Sequence, residues 1–319
     1  MDPSRDFRLY LSPKVIRQAE AGQHGFIARL TGVLQAHGYR VELCRTGREA
    51  RALAPTLPGW AMYRMEHPTH DRALVFRKVY HSPFWAIETT AARWRWPVAQ
   101  AGFPRRRIDP AKAAEFHARW QQKLFGDAPR RASRDGFVYL PLQGRLCEHR
   151  SFQDCAPLEM LERTLAREKT RKLLVTLHPK EVYTPEDLTA LEDLCRRFPR
   201  LEMVQRPMAE MLQHCDYVVT ENSSAAFFGF FFGKPAITFA RIDFHHICLG
   251  QNDFDRVAEH APEYDRYIWW FWQKMALNLG RPAGIDQKIA ERLARCGLPM
   301  DPTEVPMKKG TAAAVPFMK

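Results

Sequence analysis

Two stretches decide how this chain is read: LLVTLHPKE, residues 173–181, and DYVVTENSSAAFFGFFFGKP, residues 216–235. Each opens on a short β-branched and apolar run, too apolar to leave one face in water, and passes at once into polar residues. In the second, Asn222 or Ser223 caps an apolar helical run that stops at Gly233 and Pro235. Working outward, the same alternation holds across residues 136–239. Strands are expected at 137–142, 173–177, 201–204, 217–220 and 236–239, with helices at 157–167, 185–197, 208–214 and 224–232. Strands that alternate with helices and are buried on both faces imply a parallel sheet covered on each side, a Rossmann-like domain.

The first half repeats the pattern more loosely, with strands at 7–11 and 39–43, a helix at 26–37 and Gly38 as its C-cap. Residues 127–135, rich in Arg, Ala and Pro, read as a linker. After residue 239 the pattern turns helical, at 264–279 with Trp269, Trp270, Phe271 and Trp272, and again at 286–296. The expectation is an α/β chain: a looser α/β domain at 1–130, a Rossmann-like domain at 136–260, helices at 261–298 packing across them, and a tail at 299–319.

A chain of 319 residues with 45% hydrophobic content has ample material for two packed cores. Neither a leader pattern nor an apolar run of membrane-spanning length is read in it, so the expected setting is cytoplasmic. Seven scattered cysteines without a C-x-x-C pair read as reduced thiols, not metal ligands. The net charge of +12 draws anions: nucleotide sugars, anionic glycans, acidic lipid or nucleic acid. Much of it lies in clusters such as Arg93 with Arg95, and Arg105 to Arg107. No helix-turn-helix, RNP, KH or zinc pattern is found, and nucleic acid is not the expected partner.

The chemistry gathers where strands end. His178, Pro179 and Lys180 follow one strand directly, and open α/β sheets bind ligands at that edge. A second His-Pro pair, His67 with Pro68, is set apart by lacking this strand context. Asn222, Ser223 and Ser224 follow another strand, expected to neighbour the first, where hydroxyls and the backbone N–H groups of a helix start suit a phosphate. Together these residues resemble the bacterial capsule polysaccharide biosynthesis family and the related Kdo and sialic acid transferases of the GT-B fold. The matching segments are VTLHPKE, residues 175–181, and residues 216–235. The resemblance implies two Rossmann-like domains facing a cleft, residues 1–130 on the acceptor side and residues 136–260 binding the nucleotide sugar. It also implies that His178, Pro179 and Lys180 act as an HP motif, and Ser223 and Ser224 as an SS motif, holding the phosphate and ribose of a CMP-sugar. In YLPLQGRLCEHRSF, residues 139–152, Gln143 matches a Gln-then-acid loop of the Kdo transferases, with Glu148 where those relatives carry aspartates.

The activity so implied is sugar transfer from a nucleotide donor such as CMP-Kdo to a surface polysaccharide or glycolipid. As charge builds on the departing phosphate, fixed positive potential is needed there and a carboxylate near the sugar. The candidate acids are Glu148 and then Glu88, with His178 as the third catalytic candidate. His81 and Trp85, close to Glu88, are the acceptor-side candidates, although an aromatic face beside an acid equally suits a buried helix. Asp253, Phe254 and Asp255 spell a D-x-D, but it lies beyond the parallel-sheet region, and no metal or cofactor is expected. The tryptophan block reads as a domain-joining core helix or a peripheral anchor on anionic inner membrane. Two alternatives stay open: a non-catalytic basic binding module, and a degenerate transferase serving as a partner subunit.

Overall fold

A computed structural model describes residues 2–300. The chain forms two compact units: residues up to Ala91 together with those from Leu277 on, and Ala92–Ala276. Unit 1 opens with β1 (Asp6–Leu11), α1 (Pro13–Glu20), α2 (Gly25–Ala36), β2 (Arg40–Arg45) and α3 (Arg48–Leu53), followed by β3 (Trp60–Arg64), β4 (Ala73–Lys78) and β5 (Phe84–Glu88). Unit 2 holds α4 (Pro97–Gln100), α5 (Pro110–Phe125), β6 (Phe137–Leu142), α6 (Pro157–Arg167), β7 (Lys172–Leu177) and α7 (Pro185–Arg197). It continues with β8 (Leu201–Met203), α8 (Met208–His214), β9 (Tyr217–Thr220), α9 (Ser224–Gly229), β10 (Ala236–Thr238) and α10 (Tyr264–Trp269). The chain then returns to unit 1 through β11 (Leu277–Asn278) and α11 (Ile285–Arg295).

Unit 1 carries a six-stranded sheet in the order β11-β5-β4-β3-β1-β2. The strands from β2 to β4 run parallel, and β5 and β11 close the other side antiparallel. Its core joins Phe7, Leu9, Met62, Leu74 and Phe76 from the strands to Leu30 and Leu34 of α2 and Ile289 and Leu293 of α11. Each such side chain stabilises the unit by roughly 1.5–3 kcal/mol on burial.

Unit 2 carries a five-stranded, wholly parallel sheet in the order β10-β9-β6-β7-β8. All six residues of β6 are buried, as a central strand covered on both faces requires. Pro141 in that strand has no N–H to give the ladder. The β6–β9 register pairs Val138 with Tyr217 and Tyr139 with Val218 and goes no further, and beyond it the Thr220 hydroxyl donates to the Pro141 carbonyl at 3.3 Å.

The sequence-based strand and helix positions in unit 2 hold to within a residue or so except at 224–232, where the α-helix stops at Gly229, and three further expectations change. Residues 92–130 belong with the parallel sheet and not with the first unit, because Trp120 of α5 packs edge-on to Trp272 at 5.3 Å. Residues 127–135 are no linker: Pro129 is buried, and Ser133 and Asp135 donate backbone bonds to the end of α8, at Gln213 and His214. The helix read at 264–279 ends earlier. α10 passes into a π-helical turn, Trp270–Met275, and Leu277 already lies in β11. Trp270 and Trp272 serve the core of unit 2, where Trp272 is fully buried against Phe227 and Phe231. Among the described residues no helix is long and apolar enough to cross a membrane.

Candidate active site

Three loops leave the carboxyl ends of β9, β6 and β7, strands that lie side by side in that order. Leu142 is paired with Leu177, so Gln143 and His178 leave the sheet level with one another. Counting on from Tyr139 opposite Val218 brings Asn222 to the same level. The His178 loop and the Ser223 turn are therefore not neighbours, as the sequence reading placed them. β6 stands between, and the two are separated by two strand spacings, about 10 Å. Gln143 occupies the interval.

His178 is half-buried, its ring outside the core clusters. Its backbone N–H donates to the Tyr183 hydroxyl at 2.8 Å, and that hydroxyl donates to the Leu142 carbonyl at 3.4 Å. Tyr183 thus ties the ends of β6 and β7 together. The His178 Nδ1 accepts from the Lys180 backbone N–H at 3.2 Å. A neutral imidazole that accepts at Nδ1 carries its proton on Nε2, which makes Nε2 the donor toward a ligand. Pro179 and Lys180 are exposed.

On the β9 side, Ser223 is buried, and its Oγ accepts from the Ala225 N–H at 3.3 Å and from the Gln143 Nε2 at 3.3 Å. Its hydroxyl orders the turn, and Ser224, half-buried, carries the hydroxyl nearer solvent. The α-helix beyond is only six residues long and gives way to a 3-10 turn, shorter than the run read from sequence. Arg93, read from sequence only as part of a charge cluster, is buried here. It pairs with Asp243 at 3.4 Å and donates to the Asn222 carbonyl at 3.4 Å.

The loop after β6 is fixed from below by Asp187. This buried residue forms a capping box with Thr184 at the start of α7, and its Oδ1 also accepts from the Leu146 and Cys147 N–H groups at 2.8 and 3.1 Å. Burial works to raise its pKa, yet the hydrogen bonds from Thr184, Cys147 and Leu146 win and hold it below the ordinary value. The far end of the loop bonds to the chain beyond β10, through Asp154 N–H to the Phe239 carbonyl at 2.7 Å and Arg241 N–H to the Phe152 carbonyl at 2.9 Å.

Glu221, to which the sequence reading gave no role, follows β9 directly and is 4% exposed. Its Oε1 has no hydrogen-bond partner, and its Oε2 lies 3.7 Å from the Arg150 guanidinium. Burial raises its pKa to about 7, outweighing the pull of the neighbouring Gln153, Arg150 and His149.

The remaining candidates lie elsewhere. Glu148 is exposed on the same loop and paired with Arg145 at 2.6 Å. Glu88 belongs to unit 1, where it is buried at the end of β5 and bonded to Arg292 at 2.7 Å; burial raises its pKa against the pull of that arginine. His81 is half-buried, with its Nδ1 against the Ser82 carbonyl. Trp85 sits on a strand, not on the helix face considered from sequence, and its ring is a core ring, 6% exposed and stacked on Phe26 at 4.5 Å. Asp253 is used within its own turn, accepting from Gly250 N–H and pairing with Arg256. Among the described residues no group of three or more His, Cys, Asp or Glu side chains is placed to hold a metal ion. The contrast drawn with His67 and Pro68 weakens, since they follow the parallel strand β3 by three residues and line a 440 Å³ cavity with His70 and Asp71.

No family model and no curated protein matches the sequence. Among solved structures, the chain is similar to the β-Kdo 2,7 transferase of Thermosulfurimonas dismutans KpsC, with a TM-score of 0.54 at 12% identity, over 91% of this chain and 99% of that one. The two share a GT-B-like α/β fold. Two further structures are more distant. The β-Kdo 2,4 transferase of the same KpsC gives a TM-score of 0.46 at 12% identity, over 83% and 89% of the two chains. The wall teichoic acid polymerase TagF, as its H444N variant, gives 0.32 at 11% identity, over 92% and 91%.

Proposed function

We propose that the chain is a glycosyltransferase of surface or capsular glycan synthesis that takes its sugar from a nucleotide donor, with CMP-Kdo the donor to test first. The observation that carries this reading is the level alignment of Gln143, His178 and the Asn222–Ser224 turn at one carboxyl edge of a parallel sheet, in a chain that shares its fold with a β-Kdo transferase. Such an edge takes the phosphate of a nucleotide, because the strands end there and their loops supply donors that no strand consumes.

In this account the His178 Nε2–H and the Lys180 ammonium lie on one flank of the donor phosphate, and the Ser224 hydroxyl on the other. Gln143 and Ser223 hold the turn that presents Ser224, and Asn222 is kept in place by Arg93. As the bond from the anomeric carbon to the phosphate breaks, charge grows on the phosphate oxygens, and fixed donors stabilise that change without reorganising. Transfer is read as metal-independent, with Asp253 engaged within its own turn. Glu148 and then Glu88 are the acids offered for the sugar, and His81 for the acceptor side. A glycan or glycolipid end is the acceptor, and peripheral contact with anionic membrane belongs to the same proposal.

The test is a transfer assay with CMP-Kdo and other nucleotide sugars. His178→Ala is expected to abolish turnover while keeping the melting temperature within a few degrees, and unchanged turnover in that variant overturns the reading. Glu148→Gln and Glu88→Gln in the same assay decide between the acids, and full activity in both removes these two carboxylates from the mechanism.

A further inference from the structure

Arg150 lies over the middle of this edge and is only loosely engaged there. Its NH2 reaches the Gln143 carbonyl at 3.4 Å and Glu221 at 3.7 Å, both long, and its Nε has no hydrogen-bond partner. The guanidinium is nevertheless held in place. It stacks on the Phe152 ring at 4.8 Å, its backbone N–H donates to the Gln153 Oε1 at 2.6 Å, and its NH1 lies 3.0 Å from where a Cβ on Gly144 would sit. Gly144 has φ +67°, so both its backbone conformation and the arginine's path favour a residue without a side chain. Behind the arginine stands Glu221, buried, with one oxygen unpartnered.

A positioned guanidinium with unused donors, on the loop that starts at Gln143, suits a group with paired anionic oxygens. We propose that Arg150 is a further donor-binding residue, its fork gripping the nucleotide's phosphate between the His178 loop and the Ser223 turn. The proposal rests on the nucleotide-donor reading above and deepens it: it adds to this edge a cation more enclosed than Lys180, whose side chain is exposed.

The test is binding of CMP, with UMP in parallel and cytidine as the phosphate-free control, to wild type, Arg150→Ala, Arg150→Lys and His178→Ala. Arg150→Ala is expected to weaken CMP binding by about ten- to a hundredfold, the range of a hydrogen bond to a charged group. Arg150→Lys, which keeps the charge without the fork, is expected to recover part of that loss, and cytidine binding is expected to stay within about twofold in both. Thermal unfolding of each variant confirms that it is folded. If Arg150→Ala binds CMP like wild type while His178→Ala does not, the inference fails and the donor reading stands. Equal weakening of CMP and cytidine assigns Arg150 to the fold alone and overturns the inference. If wild type binds neither CMP nor UMP, the donor reading fails and this inference with it.

Discussion

The side-chain amide of Gln143 donates to the Ser223 hydroxyl at 3.3 Å, joining the loop after β6 to the turn after β9. It spans the place where Pro141 ends the backbone ladder between the same two strands, so a side-chain bond carries the connection that the backbone cannot. Gln143→Ala is expected to cost about 0.5–1.5 kcal/mol of stability, the range of one neutral hydrogen bond. It should also weaken CMP binding several-fold by loosening the Ser223–Ser224 turn. Urea unfolding and calorimetric titration of the same variant check both, and a stability loss with full CMP affinity makes the bond structural only.

Tyr183 makes the corresponding tie on the other side of β6, from the His178 N–H to the Leu142 carbonyl. Tyr183→Phe removes the hydroxyl and leaves the ring. The expected loss is about 1–3 kcal/mol, because the partly buried His178 N–H then lacks its partner. CMP binding should fall together with stability, and an unchanged urea midpoint contradicts this role.

Asp187 serves two masters, the first turn of α7 and the loop at Leu146 and Cys147. Its pKa is held low in the folded chain, so its contribution is present above the ordinary carboxylate range and is lost as pH falls below it. Asp187→Ala is expected to cost about 1–3 kcal/mol at neutral pH from the lost cap and loop bonds. The gap to wild type should narrow on acidification toward pH 3. Unfolding midpoints measured from pH 3 to 7 check the sign.

Glu221 behaves in the opposite sense. Its folded pKa of about 7 stands above the ordinary glutamate value of 4.5, so the folded state holds a proton that the unfolded chain has released. Stability from this group is full below pH 4.5 and is lost as pH rises to 7. A shift of this size corresponds to roughly 3 kcal/mol at alkaline pH. Glu221→Gln keeps the shape without the charge, and is expected to be more stable than wild type at pH 8 and close to it at pH 5. Parallel pH dependences for the two proteins, followed by urea unfolding, contradict the assignment.

Most of unit 2 was legible because its strands are continuous apolar runs and its helices carry capping and period. The cap at Ser223 and the stop at Gly233 are local signals that need no tertiary knowledge. Strand order was not legible: nothing local shows that β6 lies between β7 and β9, and the His178 and Ser223 loops were placed one strand too close. Trp85 misled for a related reason, since an aromatic residue beside an acid looks the same in sequence whether its ring faces a sugar or stacks on Phe26. Glu221 had a usable signal that was passed over. Glu221 is a charge set directly after a buried parallel strand, a position that is either paired or functional. Arg93 offered none, because its partner Asp243 lies 150 residues away.

The most direct test of the account is a crystal structure of the protein soaked with CMP. The phosphate is expected over the ends of β9, β6 and β7, with its oxygens about 3 Å, ordinary hydrogen-bonding distance, from the His178 imidazole or the Ser224 hydroxyl. A phosphate found instead in the 520 Å³ cavity lined by Arg167, Arg171 and Asn252, beside the amino end of β7, would contradict it.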